Sequence, residues 1–122
     1  MTGLTPEEQE WVSELTDSWV AVYKKSATTL VLLQILREDG PASAGDLAPR
    51  FTRRTGWTVT ERGLYRTLRR LADAGVLSIQ KVDAPRTGAK RQELHLTLAG
   101  REYLTRIEAQ LVADSGLSPR RA

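Results

Sequence analysis

The stretch TERGLYRTLRRLADAG, Thr60 to Gly75, decides the reading of this chain. Thr60 is a good helix N-cap, because its hydroxyl can accept a bond from an orphan backbone N–H of the first turn. Gly75 suits the left-handed turn that follows a helix. Leu64, Leu68 and Leu71 recur at i, i+4, i+7 and make one apolar stripe. At about 100° per residue, Arg62, Arg66 and Arg69 fall on the opposite side, with Arg70 on a flank. A short helix with one apolar and one cationic face docks on a core while facing a polyanion.

The surrounding charge agrees. From Arg50 to Arg91 the chain carries eleven Lys/Arg against three Asp/Glu, a net +8, while the whole chain is only +3 and the remainder therefore −5. Such segregation points to a polyanion-facing middle with flanks of other purpose; a merely solvated basic surface is the alternative. At 122 residues, 40% hydrophobic and 27% charged, the composition is that of one globular domain. There is no cysteine, hence neither a disulfide framework nor a thiolate metal site. The start MTGLTPEEQEW is acidic and unlike a signal peptide, and the longest apolar run, residues 19–23, is far short of a membrane span. A cytoplasmic protein with no membrane partner is expected.

Thr5-Pro6-Glu7-Glu8 reads as a helix start, with the cap, the first-turn proline and the capping-box glutamate in order. That helix is expected to reach about Tyr23, with Val12, Leu15, Trp19 and Val22 as a seam and Trp11 beside it. Trp11, Leu15 and Trp19 are candidates for a dimer contact, or else cover the core of their own subunit. Ser26 is expected to cap a second helix to about Glu38, ended by Asp39-Gly40-Pro41. Ser43 caps a third, Ala44 to about Arg54, which Pro49 should kink or shorten. After the helix at 60–74, a strand at 76–82 and another at 92–96 flank a turn-rich loop, making a basic hairpin. Thr97 caps a last helix with Leu104, Ile107 and Leu111 as its stripe, and residues 115–122 read as a disordered tail.

This order gives a mainly α fold with a two-stranded β-wing: a winged helix-turn-helix with extra N- and C-terminal helices. The expected division is an N-terminal helix at 1–25, the winged unit at 26–97, and a C-terminal helix at 98–114.

The runs Leu64-Tyr65-Arg66, Leu68-Arg69-Arg70-Leu71, Ala74-Gly75-Val76-Leu77 and Leu96-Thr97-Leu98-Ala99-Gly100 resemble those of PadR-like transcriptional regulators. Asp39 to Leu47 is similar to a weakened form of the segment that opens the family's second helix. The chain departs from the pattern at Arg62-Gly63 and in its 25 or so residues ahead of the winged unit. The resemblance implies a homodimeric repressor of double-stranded DNA with a palindromic operator, dimerised largely by the C-terminal helix through Leu104, Ile107 and Leu111. It also implies sensing of a small aromatic ligand, and a contact from Tyr65 to the DNA backbone; core packing is the alternative for Tyr65.

Arg62, Arg66 and Arg69 can offer two-pronged donors to guanine edges, with one or two of them on bases and the rest on phosphate. Arg70 stands beside them. Thr60 can offer its hydroxyl and N–H to a phosphate, or act as a simple cap. Arg86, Lys90 and Arg91 in the wing would meet phosphate or the minor groove, and Arg53 and Arg54 are weaker phosphate candidates. Catalysis has little support: one histidine, His95, no carboxylate pair at ligand spacing, no phosphate-binding glycine loop, and no cofactor motif. The competing function is a winged-helix module that binds RNA or an acidic protein through the same basic face.

Overall fold

A computed structural model describes residues 3–83 and 90–112, with Lys90 described in its backbone only. The elements are α1 (Pro6–Asp39), α2 (Ala44–Thr55), α3 (Glu61–Asp73), β1 (Leu77–Asp83), β2 (Lys90–Leu96) and α4 (Leu98–Ala109).

The first departure from the sequence reading is α1. Two helices were expected, and one 34-residue helix, about 50 Å long, is found. Its start is the predicted capping box: Glu8 N–H donates to Thr5 Oγ1 at 3.1 Å and Thr5 N–H to Glu8 Oε1 at 2.9 Å. No Gly or Pro lies between Tyr23 and Ala27, so nothing breaks the ladder there, and Ser26 sits inside the helix rather than at a cap. The helix stops at Gly40, whose φ of 88° few other residues adopt readily and whose N–H returns to the Leu36 carbonyl. Only its second half is core, through Leu32, Leu33, Ile35 and Leu36. The first half stands in solvent, with Trp11 60% and Trp19 63% exposed.

Ser43 caps α2, and the helix continues through Pro49 to Thr55, so the expected shortening does not occur; Leu47 and Phe51 on either side are buried. The core is one cluster of Leu32, Leu36, Leu47, Phe51, Leu64, Leu68, Leu77, Leu94, Leu104 and their neighbours. An aromatic ladder braces the middle of α1 against it. Trp19 stacks on Tyr23 (5.3 Å), Tyr23 meets Trp57 edge-on (5.8 Å), and Trp57 tilts over the buried Phe51 (6.3 Å).

The strands β1 and β2 pair antiparallel from Leu77↔Leu96 to Asp83↔Lys90. The start of α2 is stitched to this hairpin, since Ala42 and Leu94 exchange backbone bonds of 3.2 and 2.8 Å. Residues 84–89, which carry the loop and Arg86, and the expected tail at 115–122 lie outside the described residues.

The C-terminal stripe is the second departure. Leu104, expected on a dimer surface, is 0% exposed within its own subunit, because α4 folds back onto α1 and β2. Ile107 is half-buried, while Leu111, Tyr103 and Val112 remain exposed. Arg37 and Glu108 fasten the far end of α4 to α1 as a two-pronged pair at 2.6 and 2.9 Å, and Gln34 adds a third bond of 2.9 Å to the same carboxylate.

Candidate nucleic-acid interface

Helix α3 begins and ends where its residue chemistry requires. Gly63 N–H donates to Thr60 Oγ1 at 3.0 Å, so the Thr60 hydroxyl is engaged as a cap. At the other end Gly75 takes φ 86°, its N–H reaches the Ala72 carbonyl, and Val76 N–H reaches the Leu71 carbonyl at 3.0 Å. This double closure satisfies carbonyls that the helix would leave open, and it turns the chain directly into β1.

Leu64, Leu68 and Leu71 are buried. Arg62, Tyr65, Arg66 and Arg69, at i, i+3, i+4 and i+7, are all exposed and share the opposite face, with Arg70 beside them. Tyr65, for which core packing was the alternative, is 50% exposed and belongs to the cationic row.

What separates these arginines from Arg50, Arg54 and Arg91 is the lack of an ion-pair partner. Arg54 bonds both oxygens of Glu38 at 3.0 Å, and Arg50 pairs with Asp39 at 3.4 Å. Among the described residues, Arg62, Arg66, Arg69 and Arg70 have no ion-pair partner. Arg54 is thereby a surface pair that closes α2 on α1, whereas Arg53 stays exposed.

The wing fits the expectation less fully. Arg91 lies 3.7 Å from Asp46 and 3.9 Å from Glu93, so its charge is partly matched by α2 and by its own strand. Lys90 opens β2 with its side chain outside the described residues, and Arg86 lies outside them altogether. His95 bonds Glu93 at 3.0 Å and stands half-buried. Among the described residues no group of three ligating side chains could hold a metal ion.

A recess of about 370 Å³ lies between α3, the start of α2 and the sheet. Tyr65 and Arg69 form one wall, Ser43 and Gln92 the other, and Leu68, Ile79 and Leu94 line it with apolar surface. The sequence reading missed Ser43 and Gln92 as neighbours of α3. The Ala42–Leu94 bridge that brings them there joins residues about fifty positions apart and leaves no local signal.

A helix–turn–helix whose second helix shows an uncompensated cationic face, backed by a two-stranded hairpin and a packed fourth helix, defines a winged helix-turn-helix protein. Its family follows from the sequence itself. Residues 32–106 match the model of the Transcriptional regulator PadR-like family, and the chain belongs to that family, whose members are regulators of transcription and not enzymes.

Solved structures agree with the fold. A PadR family transcriptional regulator from Eggerthella lenta is 24% identical, with 83% of this chain and 86% of that one covered and a TM-score of 0.67. A PadR-like transcriptional regulator from Bacillus cereus is 20% identical over 70% and 82% of the two chains, with a TM-score of 0.62. Bacillus subtilis PadR, solved in complex with operator DNA, is 20% identical with a TM-score of 0.59; the match covers 74% of this chain and 50% of that one. No curated protein matches the chain in sequence. Among the described residues, no helix is long and apolar enough to cross a membrane.

Proposed function

We propose that this protein is a sequence-specific, double-stranded-DNA-binding repressor, acting in the cytoplasm as a homodimer on a palindromic operator, with α3 in the major groove. The observation that carries this reading is the exposed row Arg62, Tyr65, Arg66 and Arg69, none of whose arginines has an ion-pair partner among the described residues. Arginine forks on such a helix suit guanine edges, and flanking cations suit phosphate. That Bacillus subtilis PadR, of similar fold, was solved in complex with operator DNA supports operator DNA as the partner.

For the dimer, two sets of exposed apolar side chains are available, Trp11, Leu15 and Trp19 on α1, and Tyr103 on α4 with Leu111 and Val112 just past its end. Ile107 lies beside Tyr103, and Leu104, buried in its own subunit, does not contribute. A small aromatic effector would meet the groove of about 550 Å³ between α1 and α4, which Ser26, Thr29, Tyr103 and Ile107 help to line.

The test is binding to the DNA upstream of the protein's own gene, footprinted and then titrated against random duplex at several salt concentrations. A protected palindrome that outcompetes random DNA supports the reading. Equal affinity for the two duplexes would move the protein to the class of non-specific polyanion-binding modules.

A further inference from the structure

The merging of two expected helices into α1 has a chemical result beside α3. It carries Lys24 and Lys25 to the rim of a groove of about 440 Å³ whose other wall is α3, through Gly63, Arg66, Thr67 and Arg70. Four cations therefore converge on one groove, and its lining holds no Asp or Glu. All four are exposed and, among the described residues, none has an ion-pair partner. Lys24 Nζ sits 5.2 Å from the centre of the Trp57 ring, which steadies the ammonium without neutralising it. Like charges brought together in this way repel, and a polyanion laid across them reverses the sign of that interaction.

The position of the groove says which polyanion. A helix lying in a major groove about 12 Å wide has one phosphate backbone on each side. On one side of α3 lies the recess with Arg69 and Gln92, walled by α2 and the sheet. On the other side lies α1, through Lys24 and Lys25, with Arg66 and Arg70 facing it, Val59 beside them and α4 further along through Tyr103 and Ile107. We propose that α1 is part of the DNA interface: Lys24 and Lys25 hold the backbone strand on the side of α3 away from the wing, in one grip with Arg66 and Arg70. This rests on the DNA-binding reading above, and it assigns to α1 a role separate from the exposed seam further along the same helix.

The test compares wild type with Lys24→Gln/Lys25→Gln and with a charge-matched control, Arg101→Gln/Arg106→Gln on α4, outside both grooves. A labelled operator duplex is titrated by fluorescence anisotropy over a salt series. Neutralising the two lysines should lower the slope of log affinity against log salt by about 0.9 per lost phosphate contact, and weaken binding roughly tenfold or more at low salt. The control should lose much less. Both lysines are exposed, and circular dichroism verifies that the variant is folded; Lys25→Gln alone, with half the slope change, serves if the double variant is not. Phosphate-ethylation interference adds a second readout: phosphates on one flank of each half-site should matter to wild type and cease to matter to the lysine variant. Equal slopes for wild type and the lysine variant, or an equal loss in the control, would overturn this proposal alone. A wild type that binds no duplex at all would instead remove the DNA-binding reading beneath it.

Discussion

The hydroxyl of Thr97 donates to the carbonyl of Gly75 at 2.7 Å, joining the first residue before α4 to the turn that ends α3. The same oxygen lies 3.0 Å from the Val76 carbonyl and accepts the Gly100 N–H at 2.9 Å, so one side chain caps α4 and gathers the end of α3. Gly100 completes the joint, because a Cβ there would overlap the Val76 carbonyl oxygen. The arginine-bearing helix and the C-terminal helix are thus held as one block.

Removing that joint should cost stability. Thr97→Ala loses a helix cap and leaves the Gly75 carbonyl short of its donor, while the Val76 carbonyl keeps the Thr97 N–H, for a destabilisation of about 1–3 kcal/mol. Thr97→Ser should recover most of it. Gly100→Ala should cost at least as much, since the added methyl must push a backbone carbonyl aside. Urea midpoints with an unchanged slope check all three, and a Gly100→Ala midpoint equal to wild type would refute the close approach.

The arginines should divide according to their partners. Arg66→Ala is expected to weaken operator binding by roughly 1–3 kcal/mol if it meets a base, or to lower the salt slope by about 1 if it meets phosphate. Arg54→Ala, whose guanidinium already holds Glu38, should change DNA affinity little. Anisotropy titrations of the two variants decide the matter; an Arg54 effect as large as that of Arg66 would contradict this division.

The expected dimer stripe splits into two behaviours. Leu104→Ala opens a cavity in the protomer core and should cost about 2–5 kcal/mol of folding stability. Trp19→Ala and Leu111→Ala remove exposed side chains, and should shift sedimentation toward monomer with small effects on folding measured at low protein concentration. An unchanged dimer in both would exclude the α1 and α4 surfaces.

Acid should loosen the packing of α4 on α1. The Arg37 guanidinium, and then the Gln34 amide, hold the Glu108 carboxyl below its ordinary value, against the opposing effect of burial. A carboxylate depressed in the folded state contributes stability that is present above its unfolded value of about 4.3 and lost as pH falls through the folded value. Arg37 is itself raised by Glu108 and stays charged throughout, so it adds no slope in this range. Stability measured from neutral to acidic pH should therefore fall less steeply in Glu108→Gln than in wild type, although the variant starts lower. Parallel curves would mean the pair carries no pH-dependent stability.

The sequence by itself determined what depends on neighbours a few residues apart. The span of α3 follows from the Thr60 cap, the Gly75 turn and the Leu64–Leu68–Leu71 period, and its exposed arginine face follows from the same period. The hairpin and the Thr97 cap were legible for the same reason, since caps, turns and alternation are short-range. Only the tertiary structure decided the rest. Tyr65 could not be assigned to core or surface until α2 and the sheet had taken their places around α3. Leu104 carries the same local signal as Leu111, yet the fold of α4 onto α1 buries Leu104, while the helix ends at Ala109 and leaves Leu111 exposed beyond it. Arg91 reads as a free wing cation until the Ala42–Leu94 bridge sets Asp46 within 3.7 Å of it. The union of two helices into α1 turns on cooperative helix propagation through residues 24–28 and on the packing of Tyr23 against Trp57. That union also sets Lys24 and Lys25 beside Arg66, a juxtaposition made by contacts across some forty residues of chain, which no local pattern encodes.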